Sequence, residues 1–418
     1  MDKKILDRHK STVERLLGRY DGKSPFHLYL KKYFSENKKH GSKDRKLITG
    51  LCYSYFRLGR GSIELQKGST PLNLSTILNI AGYISGLLPA QLALPENLSS
   101  SVAVDHINTP LARFDLVAAH YTSLNQQHLF PFQAATSSAL DLSSFRVSLL
   151  KQPDVFLRVR PYKGYKESVL QILQQHHIFF REYDQSAVAV SSNTPVNALL
   201  PINKKVVIQD ISSQRTRHFI DLALERITKQ RSADSSESLQ VWDSCAASGG
   251  KSILVWDVLK QAGYKATLTV SDIRDNILKN LDKRLKAAGI HQYNKLILDL
   301  LTDSPLPFKT PFDIVICDAP CSGSGTWART PEHLLSFDEK EIEKYHQTQS
   351  RIAKKAWQAV KVGGYFLYMT CSVFEMENEK VTHFIEKESE MQLIHSELIS
   401  CIKENGDSMY GALFYRIK

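Results

Sequence analysis

The chain has 418 residues, which is enough for two or three domains, and its 42% hydrophobic and 23% charged residues are ordinary for a globular protein. This composition excludes a wholly disordered chain, and no apolar stretch approaches the roughly eighteen residues that span a membrane. The first residues are charged and do not resemble the apolar core of a signal peptide, so we expect a cytoplasmic protein that does not enter a membrane.

The first 145 residues are predicted to form a helical domain. Apolar side chains recur at three- and four-residue spacing from Leu6 to about Phe130, and small polar residues at 134–145 mark the first boundary. Residues 1–60 hold sixteen Lys and Arg but only six Asp and Glu, so they carry +10 of the net charge of +11. This concentrated positive charge suits a polyanion such as nucleic acid, although a solvated basic surface would have the same composition.

A small α+β domain is predicted at 146–204. Its elements follow the order strand, helix, strand, strand, at 155–159, 167–176, 179–183 and 188–191. This order is typical of helices that pack on one face of a sheet.

The remaining residues, 205–418, are predicted to form an α/β domain. A helix near 214–228 and a polar linker at 230–238 precede five short β-rich runs, at 239–242, 266–270, 295–298, 312–316 and 365–369. Helical segments separate these runs, which predicts a parallel sheet covered by helices on both faces. The last of these helices is expected to begin at a capping box of Ser336 and Glu339 and to end at Gly363 and Gly364.

The segment Asp-Ser-Cys-Ala-Ala-Ser-Gly-Gly-Lys-Ser at 243–252 lies between a predicted strand and a predicted helix. Small residues there let the backbone approach a ligand closely, and the helix N-terminus favours negative charge. A nucleoside-triphosphatase loop is the weaker interpretation because its upstream glycine is missing, and the same opening suits a nucleoside cofactor. The candidate cofactor-binding residues are Cys245, Ala246, Ala247, Ser248, Gly249, Gly250 and Lys251.

Two acidic residues stand at the ends of the next two predicted strands. Asp272 ends the second strand and Asp299 closes the third. Either side chain could accept hydrogen bonds from ribose hydroxyls or could cap a helix. Their shared position at strand carboxyl ends, where open α/β sheets bind ligands, favours the cofactor.

Two further segments each place a cysteine just beyond a strand. They are Asp-Ala-Pro-Cys-Ser-Gly-Ser-Gly at 318–325, with Cys321, and Thr-Cys-Ser at 370–372, with Cys371. A metal site that uses Cys317 with these two cysteines is a weak alternative, because no nearby His or Cys pair completes a tetrahedral set. Two buried structural thiols are the other alternative.

Together these segments resemble the Sun/Nop2-type (Fmu-like) RNA cytosine-C5 methyltransferases. The glycine loop, Asp272, Asp299, the Pro-Cys loop and the Thr-Cys-Ser segment with its downstream Glu-Asn-Glu at 377–379 occur in the order of that family. Gln-Asp at 209–210 and Ser-Ser-Gln at 212–214 match an element that precedes its cofactor domain, so the resemblance covers 205–418. Residues 42–57 are similar to the antitermination-factor-type (NusB-like) helical domain of the bacterial 16S rRNA enzymes.

This resemblance implies a Rossmann-like domain that binds S-adenosylmethionine, preceded by a small α+β domain and an N-terminal helical RNA-binding domain. It implies that Cys371 attacks carbon 6 of cytosine, because carbon 5 is too poor a nucleophile to accept the methyl group unaided. Cys321 is then expected to promote product release, Asp318 to contact the base or cofactor, and Lys251 to support that site. Ribosomal RNA is the first expected partner and transfer RNA the second; no metal is expected, and nothing in the sequence requires more than a monomer.

The chain also departs from the pattern of the family. Ser248 stands where the family usually has proline, Ser252 replaces threonine, and Ile277 occupies a position that is often basic. The first change predicts a less rigid loop, and the third puts one cofactor contact in doubt. A rRNA-binding assembly factor without catalytic activity therefore stays an alternative, whereas a DNA methyltransferase is disfavoured because it would use the Pro-Cys cysteine without a Thr-Cys-Ser partner.

Overall fold

The computed structural model describes residues 3–68, 71–99, 107–132, 135–230 and 237–418. Its residues group into two compact units, each made of separate stretches of chain. The helical unit comprises residues 1–134, 141–152 and 326–339, and the sheet unit comprises 135–140, 153–325 and 340–418. The division into three domains at 145 and 204 stays a prediction.

Helices occur in both units, and short ones alternate with long ones. They are α1 (Lys3–Arg19), α2 (Phe26–Glu36), α3 (Ser42–Arg57), α4 (Gly61–Lys67), α5 (Leu74–Ile84), α6 (Ala90–Ala93), α7 (Glu96–Ser99), α8 (Pro110–His120), α9 (Leu142–Ser148), α10 (Tyr165–Gln175), α11 (Val196–Leu199), α12 (Ile211–Arg215), α13 (Arg217–Gln230), α14 (Gly250–Gln261), α15 (Asp275–Ala287), α16 (His333–Ser336), α17 (Lys340–Trp357) and α18 (Glu379–Glu388). Within the described residues, we find no helix with the length and apolar character of a membrane span.

The strands form two separate sheets in the sheet unit. They are β1 (Val155–Val159), β2 (Phe180–Tyr183), β3 (Ala187–Val190), β4 (Val206–Ile208), β5 (Leu239–Asp243), β6 (Ala266–Asp272), β7 (Tyr293–Ile297), β8 (Phe312–Asp318), β9 (Val360–Thr370), β10 (Met391–Ser400) and β11 (Ser408–Arg416). The smaller sheet has the order β2-β3-β1-β4, and the larger has the order β10-β11-β9-β8-β5-β6-β7.

The helical unit has one apolar core, as the spacing of its hydrophobic residues predicts. In α1, for example, Leu6, Val13 and Leu16 recur on one face and are buried. Residues 326–339 complete this unit from far along the chain. The ring of Trp327 lies against aromatic rings of the N-terminal residues, and Glu332 Oε1 accepts a 3.1 Å hydrogen bond from Phe26 N at the start of α2.

The smaller sheet is antiparallel, with β1 between β3 and β4. The predicted strands and helix of the α+β region are confirmed, whereas β4 was not predicted because three residues are too short a run to recognise. Two buried arginines of this sheet, Arg158 and Arg160, each donate a 2.7 Å hydrogen bond to Asp257 of α14. This buried ion network ties the small sheet to the helix that follows the glycine loop.

The larger sheet confirms the predicted α/β fold class. Strands β5 to β9 are parallel to one another. Helices separate them along the chain except between β7 and β8, where residues 298–311 form a loop and the expected helix is absent. The last two strands, β10 and β11, add an antiparallel edge that the sequence analysis did not identify. Because the parallel strands end at one edge of the sheet, their carboxyl-terminal residues are brought together there.

Two expectations about the helix ahead of β9 are wrong. Ser336 ends the short helix α16 in the helical unit, so it cannot cap α17, which begins at Lys340. Gly363 and Gly364 lie inside β9, where the pairing with β8 is irregular, and do not terminate a helix. A Cβ on Gly364 would lie 2.9–3.0 Å from three backbone oxygens, so this strand irregularity requires glycine. Most of the predicted 230–238 linker lies outside the described residues.

Candidate active site at the carboxyl ends of the parallel strands

The loop between β5 and α14 turns sharply through two residues with positive φ. Gly249 has φ +82° and Ala247 has φ +46°, a conformation that costs an alanine roughly 1–2 kcal/mol. Asp272 Oδ2 accepts a 3.0 Å hydrogen bond from Ala247 N and so offsets part of this strain. Asp243, at the start of the loop, is fully buried and accepts from Ser252 Oγ at 2.6 Å, and its burial raises its pKa to about 7.

Arg284 of α15 holds this loop where the family resemblance leads us to expect a proline. Its Nη1 donates to Ser248 Oγ at 2.6 Å and to Ser248 O at 3.0 Å, while its Nε donates to Asn203 Oδ1 at 3.1 Å. The serine hydroxyl therefore provides a contact that a proline ring lacks. These contacts restrain the loop at Ser248 and so argue against the expectation of a less rigid loop.

Asp272 is the best-connected acidic side chain of the predicted cofactor site. Its carboxylate accepts hydrogen bonds from Arg274 N, Nε and Nη2 at 2.9–3.1 Å, besides the bond from Ala247. Burial alone would raise the pKa of Asp272, but these bonds and the positive charge of Arg274 outweigh it and lower the pKa. Asp272 is therefore an ionised acceptor beside the loop.

A cavity of about 520 Å³ opens beside these residues. Six of the predicted site residues line it, namely Cys245, Ala247, Asp272, Asp299, Asp318 and Cys321. The other predicted residues of the loop do not line this cavity; they are Ala246, Ser248, Gly249, Gly250 and Lys251. Asp299 also accepts a 2.9 Å hydrogen bond from Leu301 N, so it lines the cavity and caps a turn at once.

Helix α17 supplies part of the cavity wall that sequence reasoning missed. Tyr345, Thr348 and Ile352 face the cavity from this helix. The apolar stripe along α17 is visible in the sequence, but it predicts a core face and does not distinguish the residues that border a cavity.

The two cysteines meet beside the cavity, which Cys321 lines and Cys371 does not. Cys321 Sγ lies 3.2 Å from Cys371 Sγ, and both are free thiols of intermediate burial. The hydrogen-bonding contact with Cys371, together with burial, raises the pKa of Cys321 well above its ordinary value. Cys317, the third cysteine of the alternative metal set, is fully buried in the apolar core beside Cys245.

Lys251 and Asp318 form an ion pair in the same part of the site. Lys251 Nζ lies 2.6 Å from Asp318 Oδ2. Burial alone would lower the pKa of Lys251, but the charge of Asp318 and this hydrogen bond outweigh it and raise the pKa. Lys251 therefore stays protonated at neutral pH and fixes the direction of the Asp318 carboxylate.

Glu377 joins the two cysteine loops, a role that the sequence analysis did not assign. Its fully buried carboxylate accepts from Ser322 N at 2.9 Å, Ser322 Oγ at 2.5 Å, Ser372 Oγ at 2.6 Å and Gln349 Nε2 at 2.8 Å. Because Ser322 follows Cys321 and Ser372 follows Cys371, this one carboxylate sets the separation of the sulfur atoms. The downstream Glu-Asn-Glu segment was the available signal.

Asn378 secures the second cysteine loop from the other side. Its Oδ1 accepts a 2.6 Å hydrogen bond from Thr370 Oγ1, and its Nδ2 donates to Ser372 O at 3.0 Å. Thr370, Ser372 and Asn378 are all fully buried. Cys371 is thus held between two anchored neighbours, as a preorganised reactive group requires.

Known proteins are similar to this chain in sequence and in fold. Residues 232–412 match the family described as 16S rRNA methyltransferase RsmB/F. The ribosomal RNA small subunit methyltransferase B of Proteus mirabilis is 26% identical over 404 residues, 89% of this chain and 90% of that protein. The probable enzyme of the same name from Coxiella burnetii is 28% identical over 235 residues, which cover 55% of this chain and only 51% of that protein.

Two solved structures share the fold at low sequence identity. The structure of PH0851 covers 99% of both chains with a TM-score of 0.63 and 18% identity. The structure of NSun6 from Pyrococcus horikoshii with SFG covers 70% of this chain and 97% of its own, with a TM-score of 0.53 and 14% identity. These likenesses place the sheet unit among Rossmann-like folds.

Proposed function

Because residues 232–412 match the family described as 16S rRNA methyltransferase RsmB/F, we propose that the chain methylates carbon 5 of a cytosine in RNA through a covalent intermediate on Cys371. The methyl donor is S-adenosylmethionine, which supplies an electrophilic methyl group when it is bound. The proposal depends above all on one observation, the 3.2 Å distance from the Cys371 sulfur to the sulfur of Cys321, which lines the cavity. The following steps are what the residues of this site can perform.

The residues around the cavity fit the methyl donor. The volume of about 520 Å³ lies within the range of roughly 300–1,000 Å³ that small-molecule sites occupy. Asp272 offers an ionised carboxylate at the end of the second parallel strand. It can accept hydrogen bonds from ribose hydroxyls if the Arg274 side chain moves away and frees one of its oxygens. The sharp turn at Ala247 brings backbone close to the same space.

Cys371 makes the first covalent bond. Its thiolate adds to carbon 6 of the cytosine, which turns carbon 5 into an enamine-like carbon that can accept a methyl group. Cys321 has a raised pKa and is protonated at this stage, so its S–H can donate a hydrogen bond to Cys371 Sγ, 3.2 Å away.

Cys321 then acts in product release. After methyl transfer, the proton on carbon 5 must leave so that the Cys371–carbon bond can break and the cytosine can regain its double bond. Cys321 first releases its own proton to solvent through the cavity that it lines, and its thiolate then takes the carbon 5 proton as the Cys371 thiolate leaves carbon 6.

Asp318 and Lys251 complete the reactive site. The Asp318 carboxylate can accept from the amino edge of the base and so position it for attack, and Lys251 holds the carboxylate in that direction. A fixed ion pair of this kind stabilises charge without reorganising during the reaction.

Ribosomal RNA is the substrate that we propose first. The Proteus mirabilis and Coxiella burnetii relatives are named for the small ribosomal subunit RNA, and residues 1–60 carry most of the net positive charge. The target cytosine must leave its stack to reach a reactive site of this depth. Transfer RNA is the second candidate.

The decisive test uses tritiated-methyl S-adenosylmethionine with separate pools of undermethylated rRNA, tRNA and duplex DNA. We expect label in 5-methylcytidine of rRNA for the wild type, none for Cys371→Ala, and a denaturation-resistant protein–RNA adduct for Cys321→Ala. Cys52→Ala, which removes a buried thiol of the helical unit, is the matched control and should retain activity.

Other outcomes would redirect the proposal. A Cys321→Ala enzyme that turns over without an adduct would contradict the assigned roles of the cysteines. Label in tRNA alone would keep the chemistry and replace the substrate. Failure of the wild type to bind S-adenosylmethionine would favour the alternative of an rRNA-binding assembly factor without catalytic activity.

A further inference from the structure

Two histidines and a glutamate converge on the surface of the sheet unit, away from the residues of the candidate active site. They are His218 in the first turn of α13, and His395 and Glu397 on β10. One ligand atom from each lies within 4.8 Å of the others. We propose that these three side chains form a binding site for a divalent transition-metal ion of the zinc class.

The backbone around His218 is firmly held. Phe219, the next residue, is fully buried, and a Cβ added to Gly411 of β11 would lie 2.3 Å from its ring. Glycine at 411 thus lets the first turn of α13 pack directly onto the hairpin of β10 and β11. His218 is exposed beside this contact, at a fixed distance from the edge strand.

The backbone beside His395 is irregular, and the His395 ring packs against His218 and Phe219 of α13. The pairing of β10 with β11 shifts register between Leu393 and His395. Such bulges re-aim side chains and often occur at functional positions. Beyond the bulge, His395 and Glu397 are two residues apart and therefore project from the same face of the strand.

The distances suit a shared ion better than a direct ion pair. His395 Nε2 is 3.8 Å from Glu397 Oε2, and the His218 and His395 rings lie edge to face with their centroids 5.5 Å apart. Metal bonds of about 2.0–2.2 Å separate tetrahedral ligand atoms by roughly 3.4 Å. Small side-chain rotations are therefore enough to close the three groups around an ion, with solvent at the remaining position.

The donor atoms define the class of metal. Two imidazoles and one carboxylate suit zinc, cobalt, nickel or copper, whereas calcium and magnesium prefer oxygen ligands throughout. Without a metal, the exposed His395–Glu397 pair contributes little to stability. A bound ion would connect the first turn of α13 to the edge strand and stabilise both.

The test uses tag-free, full-length protein that has been stripped with a chelator and is titrated with Zn²⁺ by calorimetry, without RNA or S-adenosylmethionine. We expect one equivalent to bind, His218→Ala and His395→Ala to weaken binding by about tenfold or more, and His383→Ala, an exposed histidine of α18, to bind as the wild type does. The parent protein in this test is Cys371→Ala, and every variant is made in it, so that the cysteine pair does not compete for the metal.

A second readout covers the case of a variant that is damaged in folding. Co²⁺ should give a visible spectrum typical of nitrogen and oxygen ligands, and Zn²⁺ should raise the thermal midpoint of the parent protein but not of His218→Ala. Absence of binding in the parent, or equal binding in the parent and in both histidine variants, would overturn the proposal. Neither result depends on methyl transfer, so the proposed function is tested separately.

Discussion

Replacing Glu377 with alanine should separate the two reactive sulfurs without touching either of them. The carboxylate accepts four hydrogen bonds of 2.5–2.9 Å from the two cysteine loops and from Gln349. Alanine leaves the Ser322 N–H and the Gln349 amide without these acceptors, at about 1–3 kcal/mol each. The hydroxyls of Ser322 and Ser372, 3.2 Å apart, can turn to each other and lose less.

The expected loss of stability for Glu377→Ala is therefore about 2–6 kcal/mol, and each kcal/mol lowers the thermal midpoint by roughly 2–4 °C in a unit of this size. Activity should fall further than stability, because a displacement near 1 Å at reacting atoms costs about 100-fold in rate. We expect kcat to fall by about that factor while the KM for S-adenosylmethionine changes little. Glu377→Gln keeps the volume and can satisfy all four partners, so it should lose about tenfold or less.

Glu375→Ala is the matched control. Glu375 lies two residues earlier and its exposed carboxylate pairs with Lys380 Nζ at 3.0 Å, a contact that contributes less than about 1 kcal/mol. Thermal unfolding and steady-state methyl transfer are measured for all three variants at one temperature below every midpoint. A Glu377→Ala protein with the wild-type kcat and midpoint would refute the inference that this carboxylate sets the sulfur geometry.

Three further predictions concern the cofactor loop and its neighbours. Arg284→Met removes the contacts to the loop and should raise the KM for S-adenosylmethionine about tenfold in steady-state assays. Lys283→Met, which changes an exposed neighbour, should leave this KM unchanged. The same KM for both variants would contradict this prediction. Asp243 has a pKa raised from 3.8 to about 7, so the folded state retains a proton that the unfolded chain releases, and stability should fall as pH rises through this window. Asp243→Asn should flatten that dependence in calorimetry at several pH values, and an unchanged slope would contradict the assignment. Lys251→Met leaves Asp318 without its cation and should lower kcat about 100-fold, with Lys251→Arg less affected; equal losses would show that position matters more than charge.

Much of the architecture could be predicted from local pattern alone. Four of the five parallel strands, β5, β6, β8 and β9, contain buried apolar runs, and the carboxyl ends of the parallel strands carry the chemically distinctive residues. The resemblance to a known family predicted that Cys321 and Cys371 belong to one site. The structure places their sulfur atoms 3.2 Å apart. Their catalytic roles stay predictions.

Other features could not be predicted because they depend on contacts between distant residues. Arg284 reaches Ser248 across 36 positions, and Gln349 reaches Glu377 across 28, so neither pairing leaves a local signal. The edge strand β10 carries many polar residues and lacks the apolar run of a buried parallel strand. The pair Gly363-Gly364 is typical of a helix end in sequence, but both residues lie inside β9, at an irregularity of that strand.

The discontinuity of the helical unit has a consequence for the growing polypeptide. Residues 1–152 emerge first, but the unit also contains 326–339, with Trp327 in its aromatic core and Glu332 at the start of α2. At about 5–20 residues per second, those residues follow roughly 10–40 s later. During that interval the strands up to β8 are also synthesised, so both units remain incomplete together. The helical unit, although its first residues are made first, is therefore complete only after residues 326–339 have been made.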